Sequence, residues 1–318
     1  MAEKKTIVVL GCGAIGGIYA AHLSQVAEVI GVDTNAEHAA AIARDGLRLT
    51  GASEIVAKFP VCTDAAALSG RHVDAVIVLV KSQATQAAFI SLKLCLAGRP
   101  LLVTLQNGMG NVEVLEALCD WNIAQGVSVE GGRYLGPGEV EHLVHGGDTW
   151  LGPVRGSLGD VAWLGDLLNA AGMPTRLAAD PRGAVWSKFI FNCVMNPIGA
   201  IVLGENRARY QVPEVATVID QMFAECNAVA QAQGILLGFD PMHIVKSARS
   251  GVTPLTRHAG SMATDIAAGR ETELEALTGY LVRKAHSLGV PVPVTETVYR
   301  LAKGVEYAAR LKREGEKQ

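Results

Sequence analysis

Residues 6–16 constrain this chain more than any other stretch. Thr6-Ile7-Val8-Val9-Leu10 is an uninterrupted, largely β-branched apolar run, the pattern of a parallel strand buried on both faces. It leads straight into Gly11-Cys12-Gly13-Ala14-Ile15-Gly16, a G-x-G-x-x-G, and a helical pattern follows from Gly17 to Gln25. In this setting each glycine has a physical task. Gly11 makes the tight turn, Gly13 lets a diphosphate approach the backbone, and Gly16 lets helix and strand pack closely. The diphosphate would rest on the helix N-terminus, where free N–H groups and the helix dipole favour negative charge. Cys12, Ala14 and Ile15 complete that loop. The stretch therefore predicts an α/β, Rossmann-type dinucleotide-binding domain at the N-terminus.

The next segments extend the same pattern. A second strand, Glu28 to Val32, ends at Asp33, which lies 17 residues beyond Gly16, close to where such folds place an acid on the ribose hydroxyls. Residues 47–50 and 55–61 read as short strands of a further βα unit. Val73 to Val80 is a buried strand that delivers Lys81-Ser82-Gln83 to its carboxyl end, and Leu101 to Leu105 delivers Gln106-Asn107-Gly108-Met109-Gly110 to the same edge. Ligands bind at that edge in open parallel sheets, which makes Lys81 and Asn107 candidate ligands. From Ile123 to Leu151 short alternating segments broken by glycine and proline predict antiparallel strands that extend the sheet.

Composition removes several classes of partner. The net charge of −3 gives no electrostatic footprint for nucleic acid or an anionic membrane. No window reaches the ~18 uninterrupted apolar residues of a membrane span, and no signal-peptide core follows Met1, so a cytoplasmic location is expected. The cysteines are scattered without a C-x-x-C pair and are expected as reduced thiols. His142 and His145 form the closest histidine pair, with no cysteine or second carboxylate cluster beside them, so no metal site is expected.

Beyond residue 180 only helical patterns remain, over about 181–203, 213–233, 240–249, 261–268, 272–288 and 294–312. The expected domains are 1–180, dinucleotide-binding, and 181–318, all-helical, serving substrate binding and dimerisation. Asp180-Pro181 opens the first of these helices. On it Lys188, Asn192 and Asn196 recur every fourth residue and drift only about 40° per step, forming one polar stripe among Trp186, Phe189, Phe191 and Val194. A polar stripe in apolar surroundings needs partners, and a ligand is one. Thr272-Glu273-Leu274-Glu275 fits a capping box that places Glu273 in a first helical turn. The run Val215, Val218, Met222, Cys226 and Val229 offers one apolar helix face, the motive for expecting a homodimer.

With these segments in place, the chain resembles the ketopantoate reductase (2-dehydropantoate 2-reductase) family over nearly its whole length. The resemblance rests on G-C-G-A-I-G at residues 11–16, V-K-S at Lys81, Q-N-G-M-G at Asn107, W-S-K-F-I-F-N-C-V-M-N-P at 186–197, S-M-A-T-D at 261–265 and T-E-L-E at 272–275. It implies hydride transfer from a nicotinamide to the 2-oxo carbon of ketopantoate, giving (R)-pantoate for pantothenate synthesis. It also implies roles for the residues: Lys188 as proton donor with Glu273 as its carboxylate partner, Asn192, Asn196 and Ser261 toward the substrate, and Asn107 between substrate and cofactor. Alternatives are a reductase of another branched 2-oxo acid, a related β-hydroxy acid dehydrogenase, or a nucleotide-binding protein without turnover. The family habit is NADPH, yet no Lys or Arg occurs between Asp33 and Arg44. A carboxylate beside the adenosine ribose accepts hydroxyl hydrogens and repels a 2′-phosphate, so NADH is expected to be favoured, unless Arg44, Arg48 or a protonated His38 reaches the phosphate.

Overall fold

β1 (Thr6–Leu10) lies inside an eight-stranded sheet, and its side chains part to two faces: Ile7 and Val9 enter one apolar core, Val8 and Leu10 another. The structure is a computed structural model describing residues 4–252 and 259–316. Both faces being covered explains why the inner strands are continuous apolar runs and not alternating ones. β1 pairs in parallel with β2 (Glu28–Val32) and β6 (Ala75–Val78); β7 (Leu101–Thr104) and β8 (Ile123–Val127) continue in parallel beyond β6. β5 (Val61–Cys62) closes one edge, while β11 (Thr149–Arg155), antiparallel to β8, and β12 (Thr175–Leu177) close the other. Helices α2 (Ala36–Asp45), α3 (Thr85–Lys93), α4 (Asn111–Leu118) and α5 (Leu158–Ala170) connect these strands.

α1 (Ala14–Leu23) shapes this unit. Eight of its ten residues are buried, so no face is left for water. The parallel sheet covers one side. A separate four-stranded sheet covers the other, built from β3 (Leu47–Gly51), β4 (Ile55–Ala57), β9 (Gly131–Gly136) and β10 (Glu139–Val144). This corrects two expectations. Residues 47–57 form a hairpin of the second sheet instead of a βα unit, and β9 and β10 leave the main sheet instead of widening it. The physical reason is visible at α1: a Cβ on Gly17 would touch Leu47 and Val140, and one on Gly132 would collide with Ile18 at 2.7 Å. The second sheet is the lid that so fully buried a helix requires.

Residues 182–318, together with Asn107–Gly110, form a second compact unit, and residues 1–106 with 111–181 form the first. At the centre of the second is α6 (Arg182–Ile201), packed by α8 (Pro213–Ala232), α10 (Ser261–Ala267) and α12 (Pro293–Glu316). α7 (Asn206–Gln211), not anticipated from the sequence, and α9 (His243–Arg249) complete the helices before α10. Met222, Cys226 and Val229 of α8 are wholly buried and Val215 and Val218 pack on the same core, so the face put forward for dimerisation is occupied within the chain. No described helix is long and apolar enough to cross a membrane. All six cysteines are free thiols.

Pro197 lies inside α6 and has no N–H to give the carbonyl of Cys193 four residues earlier. The fully buried hydroxyl of Thr278 donates to that carbonyl instead, at 2.9 Å. Thr278 belongs to a single π-helical turn, Glu275–Gly279, that opens α11 (Tyr280–Leu288). Replacing Thr278 by valine keeps the shape and orphans a buried carbonyl, with an expected cost of about 1–3 kcal/mol. Pro197→Ala restores an N–H for that carbonyl, so in urea unfolding the double variant should lose less than the two single losses combined. Strict additivity, or a neutral Thr278→Val, would show that the hydroxyl is dispensable.

Candidate active site

The glycine loop has the shape each of its positions demands. Gly11 sits at φ +93°, and a Cβ there would strike the Val80 amide at 2.8 Å. A Cβ on Gly16 would fall 1.7 Å from the Gly11 carbonyl, which excludes any other residue. At Gly13, which caps α1 through its backbone without a side-chain hydrogen bond, a Cβ would meet nothing within 4 Å. Open space and undirected N–H groups at Ala14 and Ile15 are what a diphosphate needs. The loop therefore fits a dinucleotide.

Asp33 anchors this loop. Its Oδ2 accepts the Cys12 N–H at 2.8 Å and its Oδ1 the Asn35 N–H at 2.9 Å. The carboxylate is thus fixed at the end of β2, against the loop, with lone pairs to spare. His38 is buried: Nδ1 accepts the Gly138 N–H at 2.9 Å, so Nε2 carries the proton donated to the Cys12 carbonyl at 2.8 Å. That corrects the thought that a protonated His38 could serve a phosphate, because its ring is committed to holding the loop. Arg44 is paired with Asp45 in the last turn of α2, about 12 Å along the helix from its start. Arg48 lies on β3, in register with Glu139 of the second sheet.

Lys81 follows directly on the Val80 that abuts Gly11; it is exposed and precedes a short 3-10 turn, Ser82–Ala84. A buried polar chain that the sequence did not announce fixes this edge. Gln106 Nε2 donates to the Val80 carbonyl at 2.7 Å and to Thr85 Oγ1 at 2.8 Å. Thr85 in turn donates to Asn111 Oδ1 at 3.0 Å, and Asn111 Nδ2 to Ser82 Oγ at 3.1 Å. Each donor finds an acceptor, so the loops after β6 and β7 are held as one piece.

In the helical unit Lys188, Asn192 and Asn196 share one side of α6; Asn192 is buried, and the other two are half-buried. Trp186 and Phe189 stack edge to face at 5.2 Å, and Phe189 meets Tyr280 likewise at 5.8 Å, which locks the helix in place. Asn107–Gly110 join this unit through the Met109 N–H, which donates to the Ala276 carbonyl at 2.9 Å. Gly108 is at φ +84°, and a Cβ there would press on the same carbonyl at 2.9 Å. The Q-N-G-M-G segment therefore meets the turn that directly follows T-E-L-E, and Thr278 ties that turn to α6. Glu273 stands just ahead of the π turn, half-buried, and its carbonyl accepts the Leu277 N–H at 3.0 Å.

The expected capping box is not formed. Glu275 turns away to Arg283, Tyr299 and Lys303, and Glu306 of α12 accepts from both the amide and the hydroxyl of Thr272 in its place. A π turn displaces the third residue from the position over its cap. Burial pushes the Glu275 carboxyl up, but the hydrogen bonds from Tyr299, Lys303 and Arg283 outweigh it and hold the group below the usual range. Glu275 is a tether, which distinguishes it from Glu273. Ser261 begins α10 after Gly260 and is exposed. Arg209 is a further buried cation that the sequence reading passed over; Gly199, one turn beyond Asn196, and Gly260 lack side chains where its guanidinium lies.

Comparison with known proteins bears on this arrangement. The family profiles "Ketopantoate reductase PanE/ApbA" and "Ketopantoate reductase PanE/ApbA C terminal" match residues 7–156 and 180–306. A 2-dehydropantoate 2-reductase of Halobacterium salinarum is 30% identical over 302 residues, covering 93% of this chain and 97% of its own length. The crystal structure of a PanE/ApbA family ketopantoate reductase from Ralstonia eutropha superposes with a TM-score of 0.86 at 31% identity, covering 96% of this chain and 99% of that one. A D-mandelate dehydrogenase solved with NADH and anilino(oxo)acetate shares the fold, with a TM-score of 0.85 at 24% identity, over 96% of this chain and 99% of its own. By its matched span and its relatives, the chain belongs to the ketopantoate reductase family.

Proposed function

We propose that the chain reduces ketopantoate to pantoate, with residues 1–180 holding the dinucleotide and 181–318 the 2-oxo acid. The observation that carries this reading is the assembly of the helical unit: the Asn107 loop is hydrogen-bonded to the segment after Glu273, and that segment to the helix of Lys188. The reduced nicotinamide supplies the hydride. Lys188 polarises the 2-oxo group and delivers a proton to the developing alkoxide. Glu273 balances the ammonium, since a half-buried lysine without a carboxylate is costly. Asn192, Asn196 and Ser261 give uncharged hydrogen bonds to the substrate carboxylate and hydroxyl, and Asn107 bridges substrate and cofactor. Gly11 to Gly16, Asp33 and Lys81 bind the dinucleotide.

Reduced-nicotinamide oxidation with a panel of 2-oxo acids tests the substrate: ketopantoate should give the highest kcat/KM, and turnover confined to another 2-oxo acid would overturn the assignment. Lys188→Ala should lower kcat by roughly 10²–10⁴-fold with little change in cofactor affinity. Glu273→Ala should also slow turnover, and the double variant should fall short of the product of the two effects if the pair acts as a unit. A Lys188→Ala enzyme with near-normal kcat would assign the proton to another group.

Asp33 supports NADH as the favoured cofactor. Its carboxylate is pinned beside the loop by two amides, Arg44 is engaged at the far end of α2, and His38 is committed to the loop backbone. A 2′-phosphate about 4 Å from that carboxylate would lose on the order of 4 kcal/mol in a partly solvated site. kcat/KM should therefore favour NADH over NADPH, and Asp33→Asn should narrow the ratio. A tenfold preference of the unaltered enzyme for NADPH would contradict this placement of charge.

A further inference from the structure

Folding gathers a histidine cluster far from the glycine loop. His22, in the last turn of α1, joins His142 of β10 and His145 of the following connection; one ring nitrogen of each lies within 4.8 Å of the others. The sequence pairs only the last two, and neither His22 nor Glu130 stands beside them there. In the structure Glu130, from the connection between β8 and β9, accepts from His142 Nε2 at 2.6 Å and from His145 Nδ1 at 3.2 Å. His22 Nδ1 donates to the Ala171 carbonyl at 3.0 Å. Every ring thus has one N–H tied to an oxygen, which fixes its tautomer and leaves the other nitrogen as a lone-pair donor. This is the outer shell that metal-binding histidines carry.

The hydrogen count points the same way. Ser53 Oγ stands 3.0 Å from His22 Nε2 and 2.6 Å from His142 Nδ1. One hydroxyl hydrogen cannot serve two acceptors, so between neutral rings one of these nitrogens has no donor. Glu130 Oε1 is also buried with no hydrogen-bond partner. A buried carboxylate oxygen without a partner, beside three converging imidazoles, is a setting that receives a cation.

We propose that His22, His142 and His145 bind one first-row divalent cation, Zn²⁺ fitting best, with Glu130 orienting two of the rings. Three imidazoles and an oxygen suit that class of ion. A tetrahedral ion with bonds of about 2.0–2.1 Å holds its nitrogens roughly 3.4 Å apart, so the rings close by at most about 1.4 Å. His145 is the ring with freedom to do so: its side chain is 26% exposed and Gly146 and Gly147 follow it. The site clips the second sheet to α1 about 12 Å along the helix from the end that faces a dinucleotide, so its role is structural.

Titration of the full chain, first stripped with chelator, with Co²⁺ tests this. One equivalent should bind with a Kd of about 1 μM or tighter and give the visible bands of a tetrahedral nitrogen-rich site. Zn²⁺ should displace it and raise Tm by roughly 3–8 °C. His145→Ala should abolish the bands and the Tm shift while leaving the metal-free Tm nearly unchanged. Glu130→Gln should weaken Co²⁺ binding by about 10–100-fold. Absence of stoichiometric binding, or binding that His145→Ala leaves unaltered, would overturn the proposal.

Discussion

The first unit depends on one constraint: α1 is buried on nearly every side and begins at a loop where only glycine fits at residues 11 and 16. Close packing of Gly16 on the Gly11 carbonyl brings the helix onto β1, and the side turned away from the main sheet must then be covered. The second sheet supplies that cover, from strands nearly a hundred residues apart in sequence, as in the register of Arg48 with Glu139. Burying a helix this completely is a large hydrophobic gain at about 25 cal/mol per Å² of apolar surface. It also aims the helix start, with its unsatisfied N–H groups, at the carboxyl edge of the parallel strands. The open helix start and the core are therefore two consequences of one packing arrangement.

The second unit follows a related logic with a proline in place of the glycines. Pro197 removes a ladder hydrogen bond from α6, and the carbonyl it releases is met by Thr278, whose turn also offers the Ala276 carbonyl to Met109. A π turn suits this use, because its carbonyls at Glu275 and Ala276 take partners from outside the helix ladder, Arg283 and Met109 respectively. The 107–110 loop, the π turn and α6 are thereby tied to one another, at the expense of regular helix geometry.

Local features were legible in the sequence and non-local pairings were not. The glycine loop, the doubly buried strands, the start of α6 and the Lys188 stripe all follow from periodicity and from residues with few conformational choices. The second sheet, the meeting of His22 with His142 and Glu130, and the Thr278 bond depend on partners tens of residues away, which no window contains. The capping box failed for a subtler reason: its spacing presumes an α-helical first turn, and the chain makes a wider one there. The spacing of the α8 residues shows an apolar face, but periodicity does not say whether the covering surface belongs to the same chain, and here Met222, Cys226 and Val229 lie in the chain's own core.

In the proposed reaction a hydride passes directly to the 2-oxo carbon of ketopantoate while the chain supplies the proton. Single-turnover reaction with NADH carrying deuterium on the transferred position, followed by mass analysis of the hydroxy acid, tests it most directly. One deuterium should be retained at C2 of pantoate for each NAD⁺ formed, with the hydroxyl proton drawn from solvent. NADH oxidised without label in the product, or label lost to water, would contradict it.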